Sequence, residues 1–305
     1  MPLAQRIAYM FSNSEPGAWY DPSDLSTLFQ DTAGTTPVTA VEQAVALMLD
    51  KSGRGNHASQ ATSTKRPKYS RRVNFLVGST TLATQSITTL AAGYKIVFSG
   101  TGSVTLSGTA TGVYGAGTNS ITCTAGTLTL TVSGSVQDAS FHLAVDSHLV
   151  YQSVNTATDY DADPNKFPAY LACDGIDDAM QTGNIDFTGT DKMTVWAGVT
   201  KLSDAATSIL LESSANTNSN SGSFYITAPE TPGVGDLSFK SRGSIATTPV
   251  HLFGNAEPLS RVVAGLGDIG GDITTIRAGG TSNTSAQNQG TGNYGNYPLY
   301  IGARA

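Results

Sequence analysis

At 305 residues the chain is long enough for one large domain or two of medium size. Hydrophobic residues make up 39% and charged residues only 13%, about half the usual charged share. This balance excludes disorder, which pairs low hydrophobicity with high net charge, and a net charge of −6 argues against nucleic acid as the main partner.

Leu3, Ile7, Met10 and Phe11 fall at i, i+4, i+7 and i+8 and predict a short N-terminal helix. Such a helix either caps the fold or docks the chain onto a larger assembly. The opening residues hold no apolar core of signal-peptide length, and no later run reaches the length of a bilayer span. The expectation is therefore synthesis in a cytoplasm without membrane insertion. Gly17 to Ser23 reads as a strand entering a turn, and Asp24 to Gln30 as one or two helical turns. Thr39-Ala40-Val41-Glu42 has the form of a capping box, yet Val45 to Leu49 also reads as a short buried strand. Lys65, Arg66, Lys68, Arg71 and Arg72 then place five of 17 basic residues within eight positions. A polyanion patch and a solvated linker are the two readings, and Pro67 with the loss of charge after Asn74 points to the linker.

From Leu76 to Ser140 only Lys95 and Asp138 carry charge. Thr127 to Ser133 alternates strictly, with Leu128, Leu130 and Val132 on one face and hydroxyls on the other. Ser103 to Ser107 repeats the pattern, Tyr94 to Ser99 adds a strand, and glycines between them supply turns. The tract predicts a small antiparallel sandwich, inserted over 75–149 into a host domain formed by 1–74 and 150–305.

After the insert, Met193 to Val199 is apolar on both faces and reads as a central strand. Further strands are expected at Ser208–Leu211, Ser223–Thr227, Asp236–Lys240, Arg261–Gly265, Ile273–Arg277 and Leu299–Gly302. Ser213–Ser223 and Gly279–Gly295, rich in Asn, Ser, Thr and Gly, read as long exposed loops.

Chemistry-bearing motifs are sparse. Gly265-Leu266-Gly267-Asp268-Ile269-Gly270 matches the dinucleotide fingerprint in letters, but the β-branched residues that follow do not suit the helix that a pyrophosphate needs, so a β-turn is expected. The histidines His57, His142, His148 and His251 lack metal-ligand spacing, and no nucleophile-elbow sequence occurs. Cys123 and Cys173 both sit in strand-like contexts and read as small buried hydrophobes. Asp174, Asp177, Asp178 and Glu212 are the carboxylates of interest. The three aspartates suit a turn in which Asx side chains bond their own backbone, and they also suit calcium. Trp19 and Trp196 are candidate stacking platforms for a glycan. Trp196 lies out of phase with Val195, Ala197 and Val199, so it either faces solvent or is covered by the insert or a loop.

Three strings, Asp50-Lys51-Ser52-Gly53-Arg54-Gly55-Asn56-His57-Ala58, Asp174-Gly175-Ile176-Asp177-Asp178 and Met193-Thr194-Val195-Trp196, together resemble the laminin-G-like, concanavalin-A-like jelly-roll family. The string from Gly17 to Asp31 is similar to the start of bacteriophage and prophage proteins of this kind, and the insert resembles carbohydrate-binding-module-like sandwiches. The resemblance implies an all-β concanavalin-A-like jelly roll with a smaller inserted sandwich, and it favours the strand at Val45–Leu49. It also implies a virion surface protein made in the bacterial cytoplasm, either a tail-fibre or receptor-binding component or a capsid decoration protein. Expected partners are other virion proteins, further copies of the chain and a host-surface glycan. A non-enzymatic display role is the expectation, with a glycan-specific lectin as the alternative and a polysaccharide depolymerase behind it. In that family more strands follow a segment like Tyr300 to Arg304, so the expectation is an open strand edge there that a neighbouring subunit covers.

Overall fold

The computed structural model describes residues 3–71, 74–144, 169–214, 216–256 and 259–302. The fold is all-β and sandwich-like, with one short N-terminal helix, α1 (Leu3–Tyr9). In the first part of the chain lie β1 (Leu28–Phe29), β2 (Leu47–Met48), β3 (Ala58–Ser59) and β4 (Lys68–Ser70). The charge-poor tract forms β5 (Gln85–Thr89), β6 (Ala92–Gly108), β7 (Gly112–Cys123), β8 (Gly126–Ser133) and β9 (Gln137–Leu143). Then come β10 (Tyr170–Ala172), β11 (Met180–Asp186), β12 (Lys192–Lys201), β13 (Ile209–Ser213), β14 (Phe224–Thr227), β15 (Asp236–Ser241) and β16 (Val250–Phe253). The last strands are β17 (Leu259–Asp268), β18 (Ile273–Ala278), β19 (Thr281–Ser285) and β20 (Asn296–Ile301).

The charge-poor strands pair only with one another among the described residues, with β5, β8, β6 and β7 in sequence and β9 beside β6. The two strands expected around Tyr94 and Val104 are one long strand. The first half of β6 pairs with β7 and β9 and its second half with β7 and β8, with a register shift between Phe98 and Ser103. Glycine is required at this bend: a Cβ on Gly102 would lie 2.5 Å from the Ser133 carbonyl oxygen, and one on Gly100 would strike that of Ser135. The bend folds the sheet over a core of Tyr94, Ile96, Phe98, Val104, Leu106, Leu128, Leu130 and Phe141. Tyr94 and Phe141 stack at 5.0 Å within it. The expected junction near residue 150 lies outside the described residues, as do Arg72 and His148.

The remaining strands form a nine-stranded sheet, ordered β1-β2-β3-β11-β20-β13-β14-β15-β16, a four-stranded sheet, β12-β17-β18-β19, and a two-stranded sheet of β4 and β10. Phe224, Ile226, Leu237 and Phe239 of the larger sheet bury themselves against Val263, Ile276 and Ala278 of the smaller one. Each of the larger of these side chains contributes about 1.5–3 kcal/mol relative to exposure. Here the fingerprint-like glycines find their use. Gly265 and Gly267 lie in β17, where a Cβ on Gly265 would sit 2.5 Å from the Phe239 ring and one on Gly267 would collide with the Tyr294 hydroxyl. They are strand residues that let the two sheets close, and the chain turns only afterwards, between β17 and β18.

Several expectations change. Val45–Leu49 contains the strand β2, whereas Gly17–Ser23 is irregular and Asp24–Gln30 yields one 3-10 turn, Leu25–Thr27, before β1. β12 is not central: among the described residues it pairs with β17 alone. β20, conversely, is no edge, since it pairs with β11 and β13 on its two sides. Among the described residues the edges of the two large sheets are instead β1 and β16, and β12 and β19. Among its described residues the basic tract is not solvated throughout, because two of its arginines are tied into the fold. Arg66 donates to the carbonyls of Gln60, Gln30 and Ala61, Arg71 is buried against the Tyr69 hydroxyl, and Lys68 lies in β4. Cys123 is buried as expected, but Cys173 is exposed, and both are free thiols.

The Asp50 motif proves structural. The buried Asp50 carboxylate accepts from the backbone N–H groups of Trp19 (2.8 Å), Ser52 (2.8 Å) and Asn56 (3.0 Å) and from the Ser52 hydroxyl (2.6 Å). His57 Nδ1 accepts from the Asp50 N–H, and Asn56 Nδ2 donates to the Gly17 carbonyl. The motif thus ties the irregular segment around Trp19 to the turn after β2 and satisfies nearly every polar group it brings inside.

Candidate functional site

Two transverse rows of side chains, one on each sheet of the main sandwich, compete for the role of a binding site. The first crosses the four-stranded sheet. Along β12, Met193, Val195, Ala197 and Val199 are half-buried and turn inward, while Thr194, Trp196, Gly198 and Thr200 turn outward, as a period of two requires. Register then fixes the neighbours. Trp196 faces Ala264 of β17, Ala264 faces Arg277 of β18, and Arg277 faces Ser282 of β19. Trp196 is 70% exposed and Val262, diagonal to it, 64%.

The small residues Gly198 and Ala264 leave space beside the indole. The result is an open trough of about 450 Å³ lined by Trp196, Val262, Ala264, Arg277 and the Gly279–Ser282 turn. Its aromatic wall and its cation stand two strands apart, about 10 Å at the backbone. Thr281 closes the turn by donating its hydroxyl to the Ala278 carbonyl (2.8 Å). At the far end of the face Lys192 and Asp268 neutralise each other at 2.7 Å, which holds Asp268 below and Lys192 above their ordinary values.

The second row crosses the side of the nine-stranded sheet that faces away from the main core. Gln181, Tyr300, Glu212, Tyr225 and Lys240 are successive cross-strand partners on β11, β20, β13, β14 and β15. Glu212 is 0% exposed, and its Oε1 accepts from the Thr217 N–H (3.1 Å) and hydroxyl. Glu230 accepts from Tyr225 and Thr227 (both 2.8 Å). Asp236 receives the Glu230 N–H and stands 2.6 Å from His251 Nδ1. Lys240 donates to Asn218 (2.7 Å) and lies over the Tyr225 ring; burial, with Arg242 nearby, lowers its pKa. This row is rich in functional groups, but they spend their hydrogen-bonding capacity on one another. Its segment Ser213–Ser223 is an exposed loop only in part: Asn216, Asn218, Ser219 and Ser221 face solvent, while Thr217 and Ser223 are buried. Gln289 is likewise buried inside Gly279–Gly295, and β19 occupies part of that tract.

The structure separates the two tryptophans. Trp19 is half-buried, with its backbone N–H on Asp50 and Lys51 Nζ 4.8 Å above its ring, so one ring face is already covered. Trp196 is open. Asp174, Asp177 and Asp178 do converge, with a carboxylate oxygen of each within 4.8 Å of the others. Their hydrogen bonds are those of an Asx turn: Asp174 Oδ1 accepts from the Ile176 (2.8 Å) and Asp177 (3.3 Å) N–H groups, and Asp178 Oδ2 from the Asp174 N–H (2.8 Å). Burial, followed by the neighbouring Asp174 and Asp177 charges, raises the Asp178 pKa. Calcium takes about six to eight oxygen ligands, and these three carboxylates, two of them engaged by backbone donors and Asp177 lying 3.9 Å from Lys65, supply only part of such a shell. Arg277, Ala264 and Ser282 were not singled out by sequence reasoning. Alternation alone puts Arg277 on one side of a strand, but only the register through β17 sets it opposite Trp196.

No protein family, curated protein or solved structure matches the chain.

Proposed function

We propose that this chain is a non-enzymatic display protein of a bacteriophage particle that contacts host-surface glycans through the outer face of its four-stranded sheet. The observation that carries the binding role is Trp196, an exposed indole held rigidly on a strand beside an Ala-floored trough. An aromatic ring with an open face stacks on the apolar face of a sugar, and placement on a strand keeps the ordering cost of binding low. The non-enzymatic part is supported by Glu212, a carboxylate committed to Thr217 and away from solvent.

The particle setting rests on the resemblance of the Gly17–Asp31 string to the start of phage and prophage proteins. In the same reading 75–149 is an inserted domain. Its support is a core drawn from residues within that tract, joined from beyond it by Leu202 alone among the described residues. Further copies of the chain or other virion proteins would meet the long β12 edge. The experiment is a glycan array probed with the full chain and with Trp196→Ala. Saturable binding that the substitution abolishes is the expected result. An array without saturable binding would reduce the protein to a structural subunit, and imaging of particles carrying labelled protein would then test the virion role alone.

A further inference from the structure

Resting on that reading, we infer that the glycan taken by the four-stranded face is acidic: a sugar carrying a carboxylate, its ring on Trp196 and its charge on Arg277. Three observations lead there. First, Arg277 is exposed and its side chain makes no hydrogen bond or ion pair among the described residues, whereas Lys192 on the same face is neutralised by Asp268 at 2.7 Å. A cation without a counter-charge, next to an open aromatic, offers a planar fork that matches a carboxylate in two-point geometry.

Second, the row fixes the spacing. Ala264 is the single residue between Trp196 and Arg277. Its methyl group fills little of the gap, so a saccharide ring lying flat against the indole points its exocyclic group across the trough toward the guanidinium. A larger side chain at this register position would close the trough. Third, the rim beyond Arg277 is made of hydroxyls and backbone. Ser282 is exposed and its hydroxyl has no hydrogen-bond partner among the described residues, and Gly279 and Gly280 leave the turn low. Such a rim suits sugar hydroxyls, while an apolar peptide would leave it unsatisfied. The net charge of −6 makes a local positive spot the more discriminating, because charges beyond about 8 Å are largely screened at physiological salt.

The test is equilibrium binding of the full chain to a panel of carboxylated oligosaccharides, each paired with its methyl ester, together with a sulfated set on the same backbones. The wild type is expected to bind free acids at least tenfold more tightly than their esters, with the difference shrinking as salt is raised. Arg277→Gln is expected to bind acid and ester alike, at the wild-type ester affinity, while Trp196→Ala loses both. Equal wild-type affinity for acid and ester, or a preference that survives in Arg277→Gln, overturns the inference and leaves glycan binding standing. Tight binding of the sulfated set with none of the carboxylated one overturns the choice of anion. Absence of binding to every member, esters included, would remove the parent reading as well.

Discussion

The two rows differ in how their polar groups are spent. Across the nine-stranded sheet, Glu212, Tyr225 and Lys240 are buried and answered by Thr217, Glu230 and Asn218. Across the four-stranded sheet, Trp196 and Arg277 stand in solvent, and neither side chain has a hydrogen-bond or ionic partner among the described residues. A chemically rich set of side chains is therefore the poorer binding site of the two. Burying a polar group is tolerated when its partners are built in, and such a closed network stabilises one conformation without offering a ligand anything. An aromatic and a cation left exposed on a rigid sheet do the reverse: they contribute little to folding and keep their interaction capacity for a partner.

Substitution should separate the rows most sharply at Glu212. Glu212→Ala strands the Thr217 donors inside the protein, and a loss of about 3 kcal/mol in urea unfolding is expected. A loss below about 1 kcal/mol would mean that the row is not closed. A second closed network should show itself in acid. Hydrogen bonding from Lys51 and Ser26 holds Asp24 below its ordinary value. Burial alone would raise Asp21, but bonds from Ser23 and Lys51 bring it down too. Depressed carboxylates contribute stability that is present above the unfolded-state pKa and is lost as pH falls through the folded one. The N-terminal segment should therefore loosen only below about pH 4. With both carboxylates about a third exposed, the effect stays under about 1 kcal/mol, seen as faster amide exchange around Trp19.

The open row should be nearly silent in stability. Trp196→Ala and Arg277→Gln are each expected to change unfolding by less than about 0.5 kcal/mol, while the first removes ligand affinity and the second removes only the preference for the acid. A large destabilisation would place Trp196 in the core's service. Smallest of all is Asp178→Asn. Its carboxyl is pushed up by burial and by like charges, and an amide oxygen still accepts the Asp174 N–H. Stability at neutral pH should stay within about 0.5 kcal/mol, on the favourable side. Calcium should move the melting midpoint of neither protein; a rise in the wild type that Asp178→Asn abolishes would make the aspartate turn a metal site.

Much of this was legible in the sequence, but not evenly. The alternation of Thr127–Ser133 and the outward phase of Trp196 follow from a period of two, and both appear as expected in β8 and β12. The merger of two strands into β6 escaped, because Gly100 and Gly102 read as turn residues and are in fact a bend that keeps pairing on both sides. The placement of β12 at an edge and β20 inside a sheet escaped too, since pairing partners are set by long-range register and not by local pattern. The basic tract misled for a different reason: the reach of Arg66 to three carbonyls depends on the turns around it, which composition does not encode. At the site, the sequence pointed to Trp196 and the aspartates, while Arg277 became visible only once two strand pairings set it across from the indole.

The most direct measurement uses the two indole N–H resonances as internal controls in a titration of the full chain with a carboxylated oligosaccharide. Trp196 should shift saturably, and Trp19, packed beneath Lys51, should stay in place. Movement of Trp19 with Trp196 unchanged, or of neither while the sugar still binds, would contradict the account and put the binding face elsewhere.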